Sequence, residues 1–206
     1  LILSDKFLKL PLISSPSPSN QNGDGMIIEQ RAYARAGLLG NPSDGYFGKT
    51  ISIIVSNFGA HEVLYESPDL HLEPHETDLN VYKSMDHFIE SVGQTGYYGG
   101  SRLVKAAIKT FHDHCVQNKI PLHPRNFTIR YDTSIPRQVG LAGSSAMITA
   151  TMAALMRFYG ADIHPEILPN LILSAETEEL GIQAGLQDRV IQVYEGCVYM
   201  DFDKSL

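Results

Sequence analysis

The sequence has few of the residues that build disulfide frameworks or zinc sites. Its two cysteines, Cys115 and Cys197, lie far apart and fit neither a disulfide framework nor a metal-ligand spacing. The eight histidines are scattered, and the closest pair, His112 and His114, would point to different faces of a helix. We therefore expect no zinc site, and the cysteine content indicates a reduced, cytoplasmic compartment.

Basic residues and long apolar runs are also scarce. Sixteen basic residues against 23 acidic ones leave a formal net charge of −7, which argues against broad contact with nucleic acid or acidic lipid. No run approaches the roughly 18 apolar residues of a membrane span. Asp5, Lys6 and Lys9 interrupt the region where a signal peptide would have its apolar core. The expected partner is a small molecule, not nucleic acid or a membrane.

The composition divides the chain into a leader and one domain. Residues 1–25 end in a stretch rich in Pro, Gly, Ser and Asn, which is too polar to build a core, and we expect them to be poorly ordered. Met26 stands where the ordered pattern begins. The remaining residues, 26–206, are enough for one sizeable core.

Hydrophobic periodicity predicts a sheet followed by helices. The first third alternates or is β-branched, and longer segments with helical spacing follow. The predicted strands are 26–40, 50–57, 60–66, 70–73, 126–132 and 197–202, and the predicted helices are 86–92, 101–118, 146–159, 165–180 and 186–194.

A glycine-punctuated loop, Ile135–Ala146, leads into the most apolar of these helices. Gly140 and Gly143 allow the backbone to approach an anion closely, and the first helical amides lack intrahelical partners. Ser144 and Ser145 suit helix capping or ligation of Mg²⁺. No lysine precedes the serines, and the Gly-x-Gly-x-x-Gly and Gly-x-Ser-x-Gly spacings are absent. The loop is therefore either a phosphate cradle or an ordinary connection to a buried helix.

Three separated segments form an ordered set of motifs. The matching positions are Ala32, Arg35, Leu38, Leu39, Gly40 and Asp44 in the first, Pro136, Gly140, Leu141, Gly143, Ser144 and Ser145 in the second, and Ala175, Glu176, Gly185 and Asp188 in the third. Together they resemble the motifs of the GHMP family of small-molecule kinases, named for galactokinase, homoserine kinase, mevalonate kinase and phosphomevalonate kinase. Tyr33, Ala34, Asn41 and Pro42 depart from the common form.

The resemblance implies a fold and a domain organisation. The expected fold class is α+β, a ribosomal-protein-S5-domain-2-like GHMP kinase N-terminal domain with a mixed sheet packed with helices. Residues 26–206 would form this ATP-binding domain. Family members continue into a second domain with a further glycine-rich motif, which we expect to be absent from this chain because it stops at Leu206.

The resemblance also implies an activity. The segments Arg31–Arg35, Gly40–Asp44, Gly96–Gly100 and Ala184–Arg189 resemble the pattern of the glucuronokinases within the family, and the unusual Asn41-Pro42-Ser43-Asp44 form favours that group. This implies an ATP-dependent sugar kinase that phosphorylates D-glucuronate at the anomeric oxygen to give glucuronate 1-phosphate. The alternatives are a GHMP kinase for a galactose-like sugar or another small alcohol, a non-catalytic nucleotide-binding module, and a scaffold without a site.

The family motifs assign roles to the binding residues. By resemblance, the ATP phosphates would be held by Pro136, Gly140, Leu141, Ala142, Gly143, Ser144, Ser145 and Ala146. Mg²⁺ would be held by Ser145, or by Ser144, together with Glu176, although Glu178 and Glu179 offer competing carboxylates on the same segment.

The motifs also assign roles in the reaction. Asp188 would orient and deprotonate the sugar hydroxyl, and Arg35 would stabilise it or the transferring phosphoryl group. Asp44 would accept hydrogen bonds from sugar hydroxyls. Arg31 or Arg189 could pair with a uronate carboxylate. Without the family pattern, Asp188 is an ordinary helix N-terminal carboxylate, Glu176 a solvated residue and Arg35 part of a surface ion pair.

Overall fold

A computed structural model of the chain describes residues 26–73, 80–95, 101–136 and 139–203. The expected leader, residues 1–25, lies outside the described residues, as does the Gly96–Gly100 segment that the glucuronokinase pattern includes. The strands are β1 (Ile27–Leu39), β2 (Lys49–Ser67), β3 (Leu70–Glu73), β4 (Asn80–Tyr82), β5 (Asn126–Thr133) and β6 (Cys197–Asp201). The helices are α1 (Met85–Thr95), α2 (Arg102–Gln117), α3 (Gly143–Tyr159), α4 (Leu168–Thr177) and α5 (Gln187–Tyr194), with a short 3₁₀ helix at Ser43–Tyr46.

The six strands form one mixed sheet in the order β1-β2-β5-β3-β4, and β6 pairs with the first residues of β2. All pairings are antiparallel except that between β3 and β5. The 19-residue strand β2 is central because it pairs with β1, β5 and β6. The predicted α+β class with a mixed sheet and packed helices is confirmed.

Strand β2 is continuous where the sequence predicted two strands, 50–57 and 60–66. Between the pairs Tyr33/Gly59 and Ala34/Val55, β2 contains three residues that have no partner on β1. The predicted break is therefore an irregularity within one long strand. At this point β1 buries two consecutive residues, Ala34 and Arg35. A strict alternation would bury only one of them.

Among the described elements, helices α2 and α3 contribute the most buried hydrophobic residues to the core. Helix α3 is buried nearly all round, with twelve buried residues, as its small and apolar sequence predicted. Helix α4 is shorter than the predicted 165–180, since it ends at Thr177, and Gly181 then has φ +65°. Among the described residues, no helix is long and apolar enough to cross a membrane.

One acidic side chain lies within this core. Glu62 on β2 is fully buried and accepts a hydrogen bond of 3.2 Å from the Thr151 hydroxyl of α3. Its other oxygen has no hydrogen-bond partner among the described residues. Burial raises the pKa of the Glu62 carboxyl well above its usual range, and the Thr151 hydroxyl opposes this shift. The folded protein therefore favours the protonated acid.

Glu62 should make stability depend on pH. A carboxyl whose pKa is raised on folding stabilises the protein below its unfolded pKa, and this contribution is lost as pH rises. We expect the unfolding free energy of Glu62→Gln to decrease less with rising pH than that of the wild type. At pH 8 it should exceed the wild-type value by about 1–3 kcal/mol. Urea unfolding at pH 5 and pH 8 measures both effects. Glu66→Gln, an exposed position on the same strand, is the control. Parallel pH profiles for wild type and Glu62→Gln would contradict the prediction.

Candidate active site

The glycine loop ends at the N-terminus of α3. Gly140 has φ +74°, and a side chain at Gly143 would place its Cβ 3.3 Å from Ile135 Cγ2. The first hydrogen bond within α3 runs from Ala146 N–H to Ala142 O at 3.1 Å. The amides of residues 143–145 precede that bond, at the end of the helix where the macrodipole is positive.

The two serines differ in their surroundings, and neither caps the helix. The residue at the N-cap is Ala142, with φ +59°, and no side chain forms a capping hydrogen bond there. The predicted serine cap is therefore wrong. Ser145 is fully buried and donates its hydroxyl to Ala142 O at 3.1 Å. Ser144 is exposed and lines a cleft.

Arg35 attaches this loop to β1. Its backbone N–H donates to Leu141 O at 3.1 Å, and its guanidinium donates to Gly140 O at 3.4 Å. The guanidinium also forms a partly buried ion pair with Asp188. One residue thus connects the loop, β1 and α5, so Arg35 does not sit in a surface ion pair.

The cleft beside the loop has a volume of about 290 Å³. It collects residues from all three motifs. Its lining residues are Arg35, Asn41, Pro42, Asp44, Ser144, Glu176, Ile182, Gln183, Ala184, Gly185, Asp188 and Arg189. Pro136 and Val139, at the start of the loop, are exposed, and the intervening Arg137 and Gln138 lie outside the described residues.

Asp188 lies in the first turn of α5 and faces Arg35. Burial raises the pKa of the Asp188 carboxyl, the Arg35 guanidinium lowers it, and the Asp44 carboxylate raises it again. The net direction is upward. A carboxylate with a raised pKa that lines a cleft suits the role of a general base.

Glu176 is the acidic residue of its segment that reaches the cleft. Its side chain is 1% exposed and forms an ion pair with Arg189, whose side chain is 3% exposed. Glu178 is exposed to solvent, and Glu179 accepts a hydrogen bond of 2.6 Å from Lys109. The structure thus separates Glu176 from the two carboxylates that competed with it in the sequence.

Asp44 enters the cleft from the 3₁₀ helix after β1. Its carboxylate accepts a hydrogen bond of 3.2 Å from the backbone N–H of Gln187, at the start of α5. A Cβ at Gly185 would lie 2.1 Å from Asp44 Oδ2, so a larger residue at this position would displace the Asp44 carboxylate.

Arg31 is the one predicted site side chain that the structure puts in a different cavity. It is exposed on β1 and lines a separate space of about 240 Å³ with Tyr33, His61 and Asp132. The remaining predicted cation, Arg189, lines the cleft but is already paired with Glu176. The two arginines that line the cleft, Arg35 and Arg189, are therefore both bound to carboxylates.

Two glutamines to which the sequence analysis assigned no role form hydrogen bonds between the elements that surround the cleft. Gln192 on α5 donates to Ala142 O at 3.0 Å and to Tyr33 O at 3.1 Å. Gln187 donates its side-chain amide to the Ser52 hydroxyl at 2.5 Å. Gln192 lies four residues after Asp188, and this helical spacing was the one available signal.

The side chains that line the cleft supply too few oxygen ligands for a divalent ion alone and fit one only together with bound phosphate. Glu176 Oε1 is buried and has no hydrogen-bond partner among the described residues, and the Ser144 hydroxyl lines the same cleft. The described residues contain no group of three or more His, Cys, Asp or Glu side chains that could hold a metal. Phosphate and water oxygens would have to complete an octahedral set.

Comparison with known proteins agrees with this geometry. Residues 102–196 match the family described as "GHMP kinases N terminal domain". The chain is 50% identical over 193 residues to glucuronokinase 1 of Arabidopsis thaliana and 50% identical over 195 residues to probable glucuronokinase 2 of that plant. These matches cover 91% and 93% of this chain but 53% of each relative. The chain thus spans about half the length of the curated relatives it matches.

Solved structures share the fold at low sequence identity. Mevalonate kinase of Methanococcus jannaschii superimposes with a TM-score of 0.70 at 20% identity, covering 88% of this chain and 55% of that structure. Galactokinase of Lactococcus lactis, solved with galactose, gives 0.72 at 14% identity, covering 86% of this chain and 45% of that structure.

Proposed function

Because the chain carries a GHMP kinase N-terminal domain, we propose that it forms the phosphate-binding and sugar-binding half of an ATP-dependent kinase that phosphorylates D-glucuronate at its anomeric oxygen. The observation that carries the proposal is the cleft, where Asp188, Arg35, Ser144 and Glu176 meet beside the loop at the N-terminus of α3. Phosphoryl transfer requires mainly positioning and charge stabilisation, and these groups supply both.

Each group has a role that its surroundings support. The loop amides and the α3 dipole bind the ATP phosphates. Asp188 accepts the proton of the sugar hydroxyl, and Arg35 holds Asp188 in place and offsets negative charge. Asp44 accepts hydrogen bonds from sugar hydroxyls. Ser144 and Glu176 hold Mg²⁺, which neutralises phosphate charge when it is bound.

The substrate assignment rests on the relatives. The glucuronokinases of Arabidopsis are 50% identical to this chain, which favours a uronate over a neutral sugar. We further propose a cytoplasmic location, since Cys115 and Cys197 are both free.

An assay of the full-length protein tests this function. Purified protein, Mg-ATP and D-glucuronate should yield glucuronate 1-phosphate and ADP in equal amounts. Galactose and mevalonate serve as competing acceptors. Faster turnover of either acceptor would assign the protein a different substrate. ATP binding without transfer to any acceptor would favour a non-catalytic nucleotide-binding module.

The two serines should respond differently to substitution. We expect Ser144→Ala to lower kcat/KM by about tenfold or more and to raise the Mg²⁺ concentration needed for half-maximal rate, because the hydroxyl faces the cleft. Ser145→Ala removes a buried hydrogen bond to Ala142 and should cost about 0.5–1.5 kcal/mol of unfolding free energy. Its Mg²⁺ dependence should match that of the wild type. Titrations of rate against Mg²⁺ and urea unfolding provide the two measurements. A shifted Mg²⁺ dependence in Ser145→Ala alone would assign the ligand role to Ser145.

A further inference from the structure

Arg189 belongs to a buried network of charged side chains, so its guanidinium is not free to bind a substrate carboxylate. Its guanidinium pairs with Glu176, donates to Gly185 O at 2.7 Å, and lies 3.6 Å from Asp188 Oδ2. An arginine guanidinium stays charged in proteins, so Arg189 brings a positive charge to this network.

Glu176 forms its ion pair with Arg189 through Oε2. Both Oε1 and Oε2 are buried without a hydrogen-bond partner among the described residues. A carboxylate removed from water needs a cation or several donors to offset its desolvation. Arg189 supplies that cation in the ligand-free protein.

Most of the negative charge around the cleft is already neutralised, which disfavours the binding of another cation. Arg35 neutralises Asp188, and Arg189 neutralises Glu176, which leaves Asp44 as the remaining acidic lining residue. A divalent ion at Glu176 would lie close to the guanidinium of Arg189. The resulting repulsion is strong in a buried site unless phosphate oxygens arrive with the ion.

We propose that Arg189 is the resident counter-cation of Glu176 and competes with the divalent ion for this carboxylate. The inference rests on the proposed function, because the ion in question is the one that accompanies nucleotide phosphates. Arg189 thereby suppresses binding of metal alone and makes metal binding depend on nucleotide. It is a positioning residue in this role, not a catalytic one.

The test measures binding of Mn²⁺ alone to the purified full-length protein, by electron paramagnetic resonance and without nucleotide. We expect Arg189→Gln to bind Mn²⁺ at least about tenfold more tightly than the wild type, a difference of about 1.4 kcal/mol. Arg189→Lys keeps a cation and should stay within about threefold of the wild type. Combining Glu176→Gln with Arg189→Gln should abolish the gain.

Arg189→Gln leaves a buried carboxylate unpaired and could unfold the protein, so thermal melting gives a second measurement. Mn²⁺ should raise the Tm of Arg189→Gln by about 5 °C or more and leave the Tm of the double variant unchanged. Mn²⁺ affinity equal to that of the wild type, or a gain that persists in the double variant, would overturn the proposal. An Arg189→Gln protein that Mn²⁺ does not stabilise would overturn it as well.

These results are independent of the kinase assay. A protein that behaves as expected with Mn²⁺ but transfers no phosphate would refute the proposed function and leave the competition at Glu176 standing. A protein that phosphorylates glucuronate but shows no Mn²⁺ response to Arg189→Gln would refute only the competition.

Discussion

Replacing Asp188 by Asn is expected to lower kcat for glucuronate by about 10²- to 10⁴-fold, the usual contribution of a general base. ATP affinity should stay within about threefold of the wild type. The amide keeps the size of the carboxylate beside Arg35, but it cannot accept the proton of the sugar hydroxyl. Steady-state kinetics gives kcat, and calorimetry with a non-hydrolysable ATP analogue gives the affinity.

Asp201→Asn is the matched control for this change. Asp201 forms an ion pair with Lys49 at 2.8 Å and is not among the residues that line the cleft, so its kcat should remain unchanged. A turnover of Asp188→Asn within about fivefold of the wild type would remove Asp188 from the role of base.

The pH profile gives a second measure of Asp188. Burial raises its pKa, and a base must be deprotonated to act. As the pH decreases, activity should therefore begin to fall at a higher pH than it would with an ordinary aspartate, whose pKa is about 3.9. The residual activity of Asp188→Asn should lack this acidic limb.

Replacing Gly40 by Ala should be the most damaging glycine substitution near the site. Gly40 has φ +77°, and a Cβ there would lie 2.0 Å from the backbone oxygen of Lys49. Left-handed strain and the clash together should lower the unfolding free energy by about 2–5 kcal/mol. The turn that carries Asp44 would move as well, because Ser43 N–H donates to Gly40 O. Urea unfolding and the KM for glucuronate measure the two effects.

Comparison with Gly160→Ala separates the effect of the steric clash in Gly40→Ala from the effect of backbone strain at positive φ. Gly160 has φ +65°, and a Cβ at this position would meet no atom within 4 Å beyond its chain neighbours. The change should therefore cost only about 1–2 kcal/mol and leave the KM unaltered. Equal losses in the two variants would show that backbone strain alone explains Gly40.

Local sequence signals predicted most of the elements, because hydrophobic periodicity reflects which side of each element is buried. They also indicated the glycine loop before α3. They did not predict one continuous β2. The predicted break at 58–59 overlaps the three residues, 56–58, that have no partner on β1, and only the pairing with β1 before and after them makes the strand continuous. The serine cap was wrong for a similar reason, since the loop places Ala142 at the N-cap and turns the Ser145 hydroxyl back to its carbonyl.

The sequence by itself determined the residue types and their order: a glycine loop with two serines, an arginine before it, and acidic residues after it. Only the tertiary structure decided which of them share a cleft. It brought Arg35, Ser144, Glu176 and Asp188 together, put Arg31 in another cavity, and paired Arg189 with Glu176. The reason is physical, because local periodicity sets only the face on which a side chain lies. The charge partner that it meets there is set by packing between elements that are distant in the chain, as β1 and α5 are.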